Sequence, residues 1–284
     1  MAKKTTRAKS KQSKSESSKS TTSNVTAGYA GSVLKSIRNS LEKKLDINFE
    51  DSLEKVPHLF AEALWKYFRI EVEGLENIPA KGSAIIIPNH SGFAGFDAIL
   101  LSHAIRTYKK RIPRVLTHKL WFSHPLSSGF MQHYGFVEAK ANIGDEKLKK
   151  NKLLVLFPEG EDGNFKPTVK AYKLQEFRRG FVRLSLINQV PVIPVLILGA
   201  EESQLNLKQI DFSFLVKGLS IPLPFNLIPL PTRWKIKVLP PVEFPFSPSK
   251  ANDFELLRDL ASDMRGKMQR AMNEELKKRK KIFF

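Results

Sequence analysis

Three uninterrupted apolar runs, "AIII" at Ala84–Ile87, "LLVLF" at Leu153–Phe157 and "VPVIPVLIL" at Val190–Leu198, constrain the fold most. A strand that is apolar on both faces has to be covered on both faces, which a parallel sheet wrapped by helices does and a one-sided antiparallel sheet does not. Helix-like segments, "DAILLSHAIRTYKK" and "FRRGFVRLSLIN", alternate with these runs, and "RIPRVLTH" and "GFVEAK" supply further strands. The pattern predicts an α/β fold with a mostly parallel central sheet flanked by helices. An N-terminal helical segment containing "FEDSLEKVPHLFAEALWKYF" and a C-terminal amphipathic helix complete it. The latter opens on a capping pattern, Asn252 then Glu255, and carries Leu257, Leu260, Met264, Met268 and Met272 at helical spacing, a core or docking face rather than a substrate groove.

The expected organisation is a disordered basic tail over 1–25, a helical membrane-proximal segment over 26–66, one domain over 67–246, and the closing helix with its basic end over 247–284. The proline-rich stretch "DFSFLVKGLSIPLPFNLIPLPTRW" cannot be a regular helix.

With no cysteine among 284 residues there is no thiolate nucleophile, no disulfide framework and no cysteine-held metal. His118, His124 and His133 show no ligand spacing, so no metal site is expected. The formal charge of +19, concentrated at the two ends, calls for an anionic partner. Nucleic acid is disfavoured, since no recognition motif accompanies the basic tails. No run approaches the roughly 20 apolar residues that span a bilayer. The apolar and basic segments instead suit peripheral, monotopic contact with an anionic membrane surface, on the cytoplasmic face and, by expectation, at a bacterial inner membrane.

The first apolar run ends in "NHSGFAGFD". In an α/β sheet, reactive groups gather where strands end and helices begin. His90 suits a general base and Asp97 its orienting acid, with Gly92 and Gly95 letting the loop fold back. Taken alone, the same residues equally fit a helix cap and a satisfied loop. A second cluster, "FPEG" at Phe157–Gly160, repeats the strand-into-loop arrangement, and "VPVIPV" follows at Val190–Val195. Gly-x-Ser-x-Gly is absent, which argues against Ser91 as a hydrolase nucleophile.

These three motifs, in this order over about Tyr67 to Phe246, resemble the glycerolipid acyltransferase family and its bacterial lysophosphatidic acid acyltransferases. The resemblance implies transfer of a fatty acyl group from acyl-CoA or an acyl carrier protein to a lysophospholipid hydroxyl, with lysophosphatidic acid first among acceptors and no cofactor. It implies His90 and Asp97 as the catalytic pair. Asn89, Ser91, Gly92, Lys140, Glu159, Gly160, Lys166, Arg178 and Arg179 are the implied substrate-binding set, with a backbone N–H near Gly160 facing the developing oxyanion.

Three features depart from the family pattern. Six residues, not four, separate His90 from Asp97. Ala139 stands where an arginine often meets the acceptor's phosphate, and Glu161-Asp162 replace a Thr-Arg pair. Carboxylates beside a phosphate repel it, while Lys140, Lys166, Arg178 and Arg179 are the cations placed to compensate. The alternatives are therefore an amino lipid or neutral alcohol as acceptor, or a catalytically silent lipid-binding protein.

Overall fold

The computed structural model describes residues 49–91, 95–122, 125–140, 142–211 and 220–283. The tail over 1–25, the first N-terminal helix, Gly92 and His124 lie outside them. Pro57–Phe284 form one compact unit, and of the unit Met1–Val56 only residues 49–56 are described.

Helix α1 (Phe49–Tyr67) leads into β1 (Glu71–Glu73), β2 (Ala84–Pro88), α2 (Phe96–Lys109), β3 (Arg114–Thr117), α3 (Pro125–His133) and β4 (Phe136–Glu138). Then come α4 (Ile143–Lys149), β5 (Leu153–Val155), α5 (Glu161–Asn164), α6 (Gly180–Asn188), β6 (Val192–Leu198) and α7 (Ala200–Ser203). Strands β7 (Asn206–Asp211), β8 (Ser220–Pro224) and β9 (Lys235–Val238) precede α8 (Phe254–Lys278).

Seven strands form one sheet in the order β1-β9-β6-β2-β5-β3-β4. Strands β6, β2, β5, β3 and β4 run parallel, and β9 joins β6 antiparallel, with β1 parallel to β9. The apolar runs are thus the buried strands expected of a mostly parallel sheet. In β2, Ala84 and Ile86 join the core on one face with α1 and α2, whereas Ile85 and Ile87 join the core on the other with α6 and α8. The period-two alternation of a strand produces that division. Ile85, Ile86 and Ile87 are all fully buried, and each contributes about 1.5–3 kcal/mol relative to exposure.

Helix α8 buries Leu257, Ala261, Met264, Met268 and Met272 in the second core, so the methionine stripe is a packing face. Its cap is Asp253, whose side chain accepts from the Leu256 N–H, rather than Asn252, which ends a short 3-10 turn. Several elements were not anticipated: α3, the four-residue helices α5 and α7, and the antiparallel β7–β8 pair, of which β8 lies inside the proline-rich stretch.

Candidate active site

Parallel strands bring their carboxyl ends to one edge, and β2 lies at the middle of this sheet with β5 and β6 as neighbours. The loop after β2 carries Asn89-His90-Ser91, the loop after β5 carries Phe157 to Gly160, and the turn after β6 carries Glu201. All three converge.

Asn89 is fully buried and clamps β6: its amide donates to the Ile197 carbonyl at 3.0 Å and its oxygen accepts the Ile197 N–H at 2.7 Å. It holds the loop in place. His90 follows, partly exposed, with Nδ1 2.6 Å from Asp97 Oδ2. Asp97 is fully buried in the first turn of α2. Its Oδ2 also accepts the Ser91 N–H at 3.0 Å, and its Oδ1 accepts the Ala98 N–H at 2.8 Å. Both oxygens therefore face donors, so the hydrogen on the shared contact belongs to His90 Nδ1. Nε2 is left as the lone-pair nitrogen, with no hydrogen-bond partner among the described residues. Gly95, at φ 67°, provides the left-handed turn that returns the chain into α2, and the six-residue spacing closes on the pair.

Glu159 is a framework residue in this geometry. Fully buried, it accepts the His90 N–H at 3.0 Å through Oε1 and the Gln175 N–H at 2.7 Å through Oε2. It thus holds the backbone of the base from the β5 side, as Asp97 holds its ring from the α2 side. Gly163 makes room for it, since a Cβ there would lie 2.5 Å from Glu159 Cβ. The Phe157 ring packs on the imidazole with centroids 4.1 Å apart.

Behind Glu159 is a small polar cavity lined by Ser91, Gly163, Asn164, Lys166, Thr168, Glu201, Gln204 and Asn206. The buried oxygens of Ser91 (Oγ), Asn164 (Oδ1) and Asn206 (Oδ1) have no partner there. Lys166 Nζ lies 2.9 Å from Glu201 Oε1 and 3.7 Å from Glu159 Oε2, close enough for ion pairing but poorly aimed for a hydrogen bond. Burial pushes the Glu201 carboxyl up to about 7, against the opposing pull of Lys166.

The expected substrate-binding set divides accordingly. Lys166 is 7% exposed and its charge is spent on two carboxylates, so it does not offer the compensating cation that the sequence suggested. Arg179 stacks over the Phe254 ring at 4.6 Å, toward α8. Lys140 pairs with Glu138 at 2.7 Å beyond β4, three strands from β2, or roughly 14 Å across the sheet. Arg178 is the cation that does face this loop: exposed, 3.8 Å from Asp162, its guanidinium fills the space where a Gly160 Cβ would stand. Gly160 has φ 58°, and its N–H already donates to the Phe157 carbonyl at 3.1 Å, which engages the donor expected to face an oxyanion. Ser91 Oγ makes no bond to the imidazole, consistent with the exclusion of a serine nucleophile. Gln175 and Glu201 were missed. Glu201 follows β6 as His90 follows β2, and that position was the available signal.

A protein-family model described as Acyltransferase matches residues 69–198, the stretch that holds the pair and the Glu159 loop. That stretch is similar to the Acyltransferase family. It is 31% identical over 231 residues to an uncharacterized protein of Mycobacterium tuberculosis, covering 77% of this chain and 64% of that relative. The chain therefore spans less than two thirds of the length of the curated mycobacterial relatives it matches. A 1-acyl-sn-glycerol-3-phosphate acyltransferase of Pseudomonas aeruginosa is 29% identical over 133 residues, 45% of this chain and 48% of its own length. The crystal structure of the 1-acyl-sn-glycerophosphate acyltransferase of Thermotoga maritima shares the fold, with a TM-score of 0.55 at 21% identity over 84% of this chain and 87% of that one.

Proposed function

We propose that the chain is an O-acyltransferase that moves a fatty acyl group from the thioester of acyl-CoA or acyl carrier protein to the hydroxyl of a lysophospholipid, lysophosphatidic acid first. The observation that carries this reading is the 2.6 Å contact between His90 Nδ1 and Asp97 Oδ2, which leaves Nε2 as a proton acceptor at the open edge of the sheet. Nε2 takes the hydroxyl proton as the oxygen attacks the thioester carbonyl, a contribution of roughly two to four powers of ten for a positioned base. The tetrahedral intermediate collapses with loss of the thiolate, and the imidazolium returns the proton to that sulfur. Asp97 balances the charge on the ring in between. No acyl-enzyme and no cofactor enter the scheme.

A second reading, an amino lipid or neutral alcohol as acceptor, is favoured by the burial of Lys166 between Glu159 and Glu201 and by the carboxylates of Glu161 and Asp162 beside Gly160. Arg178, exposed beside Gly160, supports the phosphate-bearing acceptor. Thiol release from acyl-CoA, measured with a panel of acceptors for the wild type and His90→Ala, decides between them. Release that needs lysophosphatidate supports the first reading, and release with the other acceptors supports the second. Absence of His90-dependent release with every acceptor and with both donors would leave a lipid-binding protein of the same fold.

The substrate is membrane-borne, and we propose that the protein meets it from an anionic surface on the cytoplasmic side. No helix among the described residues is long and apolar enough to cross a membrane. Phe225, Leu227 and Ile228, just beyond β8, are 70–79% exposed and form an apolar edge suited to interfacial contact. Cosedimentation with anionic liposomes at low salt, weakened by Phe225→Ser with Ile228→Ser, is the expected result; no cosedimentation would refute it.

A further inference from the structure

His58 and Glu62 stand four residues apart on α1, hence on one face of that helix. Opposite them, α2 presents His103, 3% exposed, with Nε2 2.9 Å from Glu62 Oε1. One donor atom from each of the three side chains lies within 4.8 Å of the other two. The His58 and His103 rings are 5.5 Å apart, and the Trp65 ring covers His103 at 5.7 Å, an apolar wall on one side of the cluster. The single contact to Glu62 is enough to satisfy a buried imidazole. A second imidazole, that of His58, with a ring nitrogen within 4.8 Å of both the carboxylate and His103, is not needed for that bond, yet it completes a ligand set.

We propose that His58, Glu62 and His103 bind one divalent transition-metal ion, with Zn²⁺ the best match, which ties α1 to α2. Two imidazoles and a carboxylate form a nitrogen-rich set that suits zinc and its neighbours and not the oxygen-seeking Mg²⁺ or Ca²⁺. A tetrahedral zinc with bonds of about 2.0–2.2 Å holds its donors roughly 3.4 Å apart. His58 is exposed and Glu62 partly so, which lets rotation of these two side chains close the remaining gap onto the fixed His103. Water takes the fourth position. His103 lies six residues beyond Asp97 on α2, about 9 Å along the helix axis. The ion is therefore a structural cross-link outside the acyl-transfer centre.

The test uses the full chain, stripped with a chelator and titrated with Zn²⁺ by calorimetry, and separately with Co²⁺, whose visible absorption reports tetrahedral nitrogen and oxygen ligation. One ion per chain is expected, with the melting temperature raised by roughly 5–10 °C at a hundredfold excess over Kd. His58→Ala and Glu62→Gln, both on accessible side chains, should each weaken binding at least tenfold, while His118→Ala leaves it intact. Absence of saturable binding, or binding unchanged in His58→Ala, would overturn the assignment. Loss of binding in His118→Ala would do the same by locating the ion elsewhere.

Discussion

Replacing Asp97 by Asn tests whether the acid works on the imidazole or only begins a helix. The carboxylate receives three N–H groups: His90 Nδ1 and the Ser91 amide on Oδ2, the Ala98 amide on Oδ1. An asparagine has one oxygen and one amino group to set against them. With its oxygen toward His90 and Ser91, it faces one donor, Ala98 N–H, with another donor. In the reverse orientation it opposes two. The first orientation is favoured by about one hydrogen bond, which is worth roughly 1–3 kcal/mol in a buried setting. The tautomer of His90 should therefore survive, and the loss in turnover comes from the missing charge opposite the imidazolium. At a charge separation of about 4 Å and an effective dielectric near 20 that interaction is about 4 kcal/mol, an upper bound of roughly a thousandfold. The expected fall in His90-dependent thiol release is thus about a hundredfold to a thousandfold, with the melting temperature lowered by a few degrees because the Ala98 amide loses its acceptor. A fall near ten thousandfold would mean that the amide had reversed and protonated Nε2. A variant that melts early yet turns over within threefold of wild type would refute the pair and leave Asp97 as a cap.

The same geometry makes three further expectations. Gly163→Ala should lower turnover at least tenfold through displacement of Glu159, whose Cβ stands 2.5 Å from the new methyl, with the melting temperature as a control for global damage. Asn89→Leu should cost about 2–5 kcal/mol in denaturant unfolding, since the buried N–H and C=O of Ile197 both lose their partner. Burial alone would raise the Glu275 carboxyl, but bonds from Lys235, Lys237 and Lys278 outweigh it and hold the group at about 2. Because the folded value lies below the ordinary one of 4.5, its stabilisation is complete above pH 4.5 and fades as the pH falls toward 2. Melting curves for Glu275→Gln should be flatter than wild type across that range, and parallel curves would contradict the assignment.

The sheet was legible because its three central strands, β6, β2 and β5, are apolar without interruption, and a run such as "AIII" admits few placements other than the centre of a covered sheet. His90 and Asp97 were legible for a related reason: they follow such a strand and begin the next helix. What escaped is what depends on partners far along the chain. Asn89 reads as a site residue until Ile197, more than a hundred positions later, is seen to occupy it on both sides. Lys166 reads as a free cation until Glu201 and Glu159 close on it. Glu159 itself sits in a recognisable motif, but its two backbone donors come from separate loops. Strand β8 was hidden by its prolines at 222 and 224, residues that seldom mark a strand.

The imidazole hangs from the central strand of the sheet, pinned by Asn89 on one flank and Glu159 on the other, whereas the exposed Arg178 guanidinium takes part in neither clamp. On the proposed reading, reactivity and choice of acceptor would be modular: substitution of Arg178 would shift the preference among headgroups while the His90–Asp97 contact stays as it is.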